Sequence, residues 1–107
     1  MNVGDIYNAE WSQEVGKSEE CLVMINNVLS KEMVIVAPLM KCTSKEYSET
    51  RFANGMRFAI EKGQGGMTED SIMLVDHSRC VNVSVLKNKI GRVDKELREF
   101  ISKKLQG

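Results

Sequence analysis

Proline is nearly absent from the 107-residue chain: Pro38 is the only one, which excludes a proline-rich linker or a polyproline ligand. There is one histidine, His77, and no Cys-x-x-Cys spacing. A zinc site would need Cys21, Cys42, Cys80 and that histidine to converge, so no metal is expected. The three thiols are an odd and unpaired set, which fits a reducing cytosol better than a disulfide framework. The longest apolar run, Met33 to Met40, is eight residues and contains Pro38, well short of the roughly 20 that a membrane helix requires. Met1-Asn2-Val3-Gly4-Asp5 has neither the basic start nor the apolar stretch of a secretion signal. A cytoplasmic protein with no membrane partner is therefore expected. Net charge is also absent, with 15 Lys+Arg against 15 Asp+Glu, so no global attraction to a polyanion exists.

What is present is ordinary globular material: 42% hydrophobic and 28% charged residues, and a length that suits one domain over residues 1–107. The charge is unevenly placed. Residues 1–20 carry five acids (Asp5, Glu10, Glu14, Glu19, Glu20) and one base, Lys17. Residues 84–107 carry seven bases and three acids. Both a solvated surface and a partner site fit that asymmetry.

Hydrophobic periodicity predicts strands over residues 6–11, 21–25, 33–37, 57–61 and 71–75, with a further short one where Val81, Val83 and Val85 alternate. Pro38 is expected at a strand end or on an edge. Residues 41–50 read as a loop, and residues 62–70, with Gly63, Gly65 and Gly66, as a flexible connection. Asp94 is a good N-cap, and Leu97, Ile101 and Leu105 recur every four residues after it, predicting a closing amphipathic helix. Many short strands and one terminal helix imply a mainly β fold, a small barrel or sandwich with a docked helix. Continuous apolar strands in so small a barrel imply an unburied apolar face and hence a homodimer. Cys21 should be buried and inert, and Cys42 open.

Asp76-His77-Ser78-Arg79 is the densest cluster of reactive groups. Read as a strand end, it puts Asp76 and Ser78 on one face and His77 and Arg79 on the other. A structural Asp–Arg pair accounts for it. So does phosphate chemistry, in which a carboxylate or imidazole moves a proton and an arginine meets oxyanion charge. Composition alone leaves both open.

Five segments in one register resemble a known family. They are Val3-Gly4-Asp5-Ile6-Tyr7, Leu22-Val23-Met24-Ile25-Asn26-Asn27, Val34-Ile35-Val36-Ala37-Pro38-Leu39, Asp70 through Arg79, and Lys89-Ile90-Gly91-Arg92-Val93-Asp94, the last as the approach to the final helix. Together they are similar to the MazF/PemK/Kid toxins of bacterial toxin–antitoxin pairs. The resemblance implies a small SH3-like β-barrel with a C-terminal helix, working as a homodimer. It implies a ribosome-independent endoribonuclease that cuts single-stranded mRNA by 2′-hydroxyl attack, with no cofactor and no metal. It also implies an antitoxin protein as partner. By the resemblance Asp76 falls on an acid proposed as base, Arg79 on the family's arginine, and Lys17 where the Kid-like branch has histidine. Thr43 or Ser44 would orient the phosphate, with His77 and Lys41 also on RNA. Glu20-Cys21 stands where many members carry Arg-Pro, Met40 where many carry Thr or Ser, and Leu74 where the Kid-like branch has a second arginine. Two alternatives stay open: a catalytically impaired RNA- or protein-binding module of the same fold, and a gyrase-poisoning toxin of the related CcdB type.

Overall fold

The computed structural model describes residues 1–10, 19–26, 30–52 and 56–105, with backbone alone for residues 51, 52 and 105. The elements are β1 (Asp5–Ala9), β2 (Glu19–Asn26), β3 (Met33–Lys41), α1 (Ser44–Phe52), β4 (Arg57–Ile60), β5 (Ser71–Leu74), β6 (Arg79–Asn82), β7 (Leu86–Arg92) and α2 (Lys95–Leu105). All pairings are antiparallel, and the strands form one seven-stranded sheet in the order β4-β5-β3-β2-β1-β7, with β6 also on β3. The expected mainly β fold with a C-terminal helix is present, as an open strand path rather than a closed barrel among the described residues. Neither helix is long and apolar enough to cross a membrane.

β3 organises the molecule. One edge pairs with β2 from Cys21↔Pro38 to Asn26↔Val34. The other edge changes partner along its length, pairing Met33–Val36 with β6 and Leu39–Lys41 with β5. Pro38 lies between those two stretches, inside an interior strand and at neither the strand end nor the outer sheet edge that was expected. Proline has no N–H to give a ladder, and the gap between β6 and β5 is where one is not needed.

Strand alternation splits the core in two. Ile6, Leu22, Ala37 and Leu39 face one side and pack with Phe58, Ile60, Met73, Val93 and Ile101. Ala9, Cys21, Val23, Val34 and Val36 face the other and pack with Leu86, Val81 and the 3₁₀ turn at Val83–Val85. Cys21 is fully buried, and burial pushes its thiol up to about 12. Cys42 is partly exposed and Cys80 exposed. α2 docks as its periodicity predicts, with Asp94 Oδ1 accepting from the Leu97 amide at 2.9 Å and Ile101 buried.

Four expectations are corrected. Residues 41–50 are not a loop, because α1 starts at Ser44 on a reciprocal cap: the Glu46 amide donates to Thr43 Oγ1 (3.2 Å) and the Thr43 amide to Glu46 Oε1 (3.0 Å). Its sequence, SKEYSETRF, carries no apolar stripe to reveal it. Residues 62–70 are not a loose connection. Gln64–Gly66 is a 3₁₀ turn whose Gln64 side chain clamps Asp94, donating through Nε2 (2.6 Å) and accepting from the Asp94 amide (3.1 Å). A Cβ at Gly91 of β7 would fall on the Gly65 carbonyl oxygen, so only glycine permits this approach. The strand expected through Val81, Val83 and Val85 ends at Asn82. Lys89–Arg92, for which no strand was expected, forms the end of a seventh strand, and Val93-Asp94 leads from it into α2 as expected.

Candidate active site

The chain leaves β5 at Leu74 and turns through a 3₁₀ segment, Val75–His77, before entering β6 at Arg79. Val75 is buried and its amide donates to the Met56 carbonyl at 2.9 Å. The Ser78 hydroxyl donates to the Val75 carbonyl at 2.6 Å. These contacts fix the turn, and Asp76 and His77 project from it into solvent. Asp76 Oδ2 accepts from Arg57 Nη2 at 3.2 Å and lies 3.6 Å from His77 Nε2. The turn overturns the alternating placement expected for residues 76–79. Asp76 and His77 are side by side, and Ser78 is engaged inward, also contacting Met24 Sδ at 3.1 Å. Arg79 is exposed on β6 across from Val36.

The Arg57 guanidinium holds the Asp76 carboxyl below the usual carboxylate range, so it is ionised at neutral pH. Arg57 comes from β4, and its Cα partner is Leu74. It thus stands beside the position where the resemblance implies an arginine. Sequence reading took Arg57 only as the start of a strand. The Arg57–Asp76 contact spans 19 residues of chain, and no local pattern signals it.

The other expected residues lie at the far end of β3. Lys41 pairs with Ser71, whereas Val36 pairs with Arg79. Those positions are five residues apart, about 17 Å at about 3.3 Å per residue. Lys41 Nζ is ion-paired to Glu69 at 3.1 Å, and Glu69 first and Glu20 also raise the Lys41 ammonium above its usual value. Thr43 and Ser44 form the start of α1, with the Thr43 hydroxyl occupied by its cap. Asp70 accepts from the Lys62 amide at 2.9 Å, and burial, Asp70 and Glu46 all raise the Cys42 thiol. Thus Asp76 and His77 are brought together with Arg57, while Lys41, Thr43 and Ser44 gather elsewhere among carboxylates. Lys17 and Trp11 lie outside the described residues.

An acid and an imidazole on one exposed turn, with the Arg57 guanidinium reaching them from β4, can exchange a proton with a substrate hydroxyl and meet phosphate charge. Comparison with known proteins places the scaffold. Mycobacterium tuberculosis toxin MazF-mt6 superposes with a TM-score of 0.67 at 16% identity, over 94% of this chain and 91% of that one. No curated protein matches the sequence. The profile described as PemK-like, MazF-like toxin of type II toxin-antitoxin system matches residues 2–107. With that match over nearly its whole length, the chain belongs to the PemK/MazF-like toxin family of type II toxin–antitoxin systems.

Proposed function

We propose that this toxin is a ribosome-independent endoribonuclease acting on single-stranded RNA at the Asp76 turn. The observation that carries the reading is the ionised Asp76 carboxylate set between Arg57 (3.2 Å) and His77 (3.6 Å) on an exposed turn. Asp76 takes the proton of a ribose 2′-hydroxyl. The 2′-oxygen bonds to the adjacent phosphorus as the bond to the 5′-oxygen breaks, and the leaving 5′-oxygen takes a proton from His77. The products are a 2′,3′-cyclic phosphate and a 5′-hydroxyl. A low Asp76 pKa makes a weak base while Arg57 is bound to it. Transfer of Arg57 to the substrate phosphate, alongside Arg79, raises carboxylate basicity when it is needed.

In this reading Lys41, Thr43 and Ser44 take no part in proton transfer, and Lys17, which the resemblance sets on the phosphate, keeps that role. The working form is a homodimer in the cytoplasm, restrained by an antitoxin that covers the RNA surface. Met40, Met56 and Phe100, each with 40% or more of its surface exposed, are apolar area for such contacts.

The test is incubation of purified protein with single-stranded RNA in excess chelator, followed by analysis of fragment ends. Cyclic phosphate termini support the proposal. A second reading, an RNA- or protein-binding module that does not cut, is favoured by the carboxylates Glu20, Glu46, Glu69 and Asp70 around Lys41 and Thr43. RNA retarded on a gel but left intact overturns cleavage in favour of that module.

A further inference from the structure

A cavity of about 300 Å³ opens between the start of β1, the end of β2 and the inner face of α2, and its Met24 wall also touches Ser78, at the end of the Asp76 turn. This is the size at which small-ligand pockets begin. Its lining is divided. Leu22, Met24, Met73 and Ile101 form apolar walls, and half-exposed Val3 and Ile25 form an apolar mouth. The polar wall is α2, where Arg98 and Ser102 are four residues apart and so share one face. No carboxylate lines the cavity.

Arg98 is held in place from two sides. Its Nη1 donates to the Val93 carbonyl at 2.6 Å. Its stem lies against Gly4, where a Cβ would come within 2.6 Å of Arg98 Cδ. Gly4 adopts φ +90°, a conformation that other residues rarely tolerate. A guanidinium carries five N–H donors in a planar fork that matches a carboxylate. Among the described residues no carboxylate lies within 4.0 Å of the Arg98 charge, although that charge helps to lower the Asp94 carboxyl outside the cavity. A positive fork and a hydroxyl on one wall of an otherwise apolar cavity select a ligand that is apolar along its length and anionic at one end.

We propose that this cavity binds a medium-chain aliphatic carboxylate, its chain among Leu22, Met24, Met73 and Ile101 and its head on Arg98 and Ser102. The volume equals the liquid share of about ten waters at roughly 30 Å³ each, which accommodates an eight-carbon acid. The site is independent of the RNA chemistry proposed above.

Sodium octanoate is the probe, titrated against the protein with methyl NMR signals of Ile25 and Ile101 as readout. Saturable shifts with half-saturation near ~1 mM or below are expected for a ligand of this size. Each buried methylene is worth about fourfold, so hexanoate should bind about fifteenfold more weakly and acetate not detectably. Arg98→Gln should weaken octanoate about tenfold and leave octan-1-ol unchanged. Val3→Trp, at the exposed mouth, should block both ligands while leaving the fold intact. Absence of octanoate shifts at Ile25 and Ile101 overturns the proposal. So does equal loss of octanoate and octanol in Arg98→Gln, which would make the polar wall irrelevant. Undiminished octanoate binding in Val3→Trp overturns it as well, since the ligand would then sit elsewhere.

Discussion

The middle of β3 and its Lys41 end belong to the same sheet and differ in charge. Beside the middle of β3, between Val36 and Leu39, the turn after β5 sets Asp76 against Arg57 and His77, and Arg79 follows. At the Lys41 end, Lys41 is bound by Glu69 with Glu20 also acting on its charge, and Glu46 and Asp70 act on the neighbouring Cys42. The resemblance to the toxin family distributes site residues over both stretches, but only the first joins an acid, an imidazole and a guanidinium. An anion approaching Lys41 meets a charge already neutralised and an excess of carboxylates beyond it. The comparison teaches that membership in a fold family does not carry its charge pattern along. Here the sheet is retained while one end of the expected groove has reversed sign.

The strongest test of that contrast is Asp76→Asn. Removal of a general base commonly costs about 10²–10⁴ in rate, and asparagine keeps the shape and the hydrogen bond from Arg57. Cleavage of single-stranded RNA should fall by that factor with the unfolding midpoint little changed. Cleavage at the wild-type rate would take Asp76 out of the mechanism and dissolve the distinction between the ends.

Reversing the sign of the other end is the next test. Glu20 lies on β2 across from Asn8 and acts on the charge of Lys41. Glu20→Arg replaces repulsion of a phosphate by attraction. RNA affinity at low salt should rise about tenfold, in line with a charged hydrogen bond of roughly 1.5 kcal/mol. The slope of log affinity against log salt should steepen by about 0.7, the single-strand value for one added phosphate contact. Unchanged affinity and slope would mean that RNA does not pass this end.

How far these two ends were legible in the sequence follows from which contacts are local. The strands around Val23, Ile35 and Met73 read correctly because burial on both faces demands continuous apolar, β-branched runs. α2 read correctly because Asp94, Leu97 and Ile101 encode a cap and a stripe within one element. β7 did not, because Lys87, Asn88 and Lys89 keep an edge strand soluble and Gly91 is required by the close approach of Gly65. α1 did not, because its exposed polar faces leave no period and its start depends on the Thr43–Glu46 cap. In the site, the reactive cluster 76–79 was visible but its geometry was not. A 3₁₀ turn replaces the alternation of a strand, and Arg57 arrives from another strand.

Thr43 separates a structural from a catalytic role at the Lys41 end. Its hydroxyl accepts from the Glu46 amide, and loss of such a cap costs about 1 kcal/mol. Thr43→Ala should lower the urea unfolding free energy by about that amount. RNA cleavage under conditions where the variant stays folded should change less than about twofold, well below the ~10²–10⁴ expected of a proton-transfer group. A large loss of cleavage at unchanged stability would place Thr43 on the substrate and extend the active region along the whole of β3.

The native thiols report the same contrast with the smallest effect. Alkylation requires thiolate. Burial, Asp70 and Glu46 hold the Cys42 thiol above its usual range, whereas Cys80 is exposed on β6 next to Arg79. Cys21, with its thiol pushed up to about 12 and no exposed surface, should react only after unfolding. Iodoacetamide at neutral pH, followed by peptide mass analysis, should therefore label Cys80 ahead of Cys42 by a few-fold and leave Cys21 unmodified. Glu46→Gln keeps a side chain able to complete the cap while removing one of the two charges acting on Cys42, so the gap should narrow with Cys80 unaffected. Raising ionic strength to about 1 M shortens the screening length to about 3 Å and should narrow it in the same direction. Cys42 reacting first at low salt, or a gap indifferent to both changes, would show that the Lys41 end does not carry the negative field assigned to it.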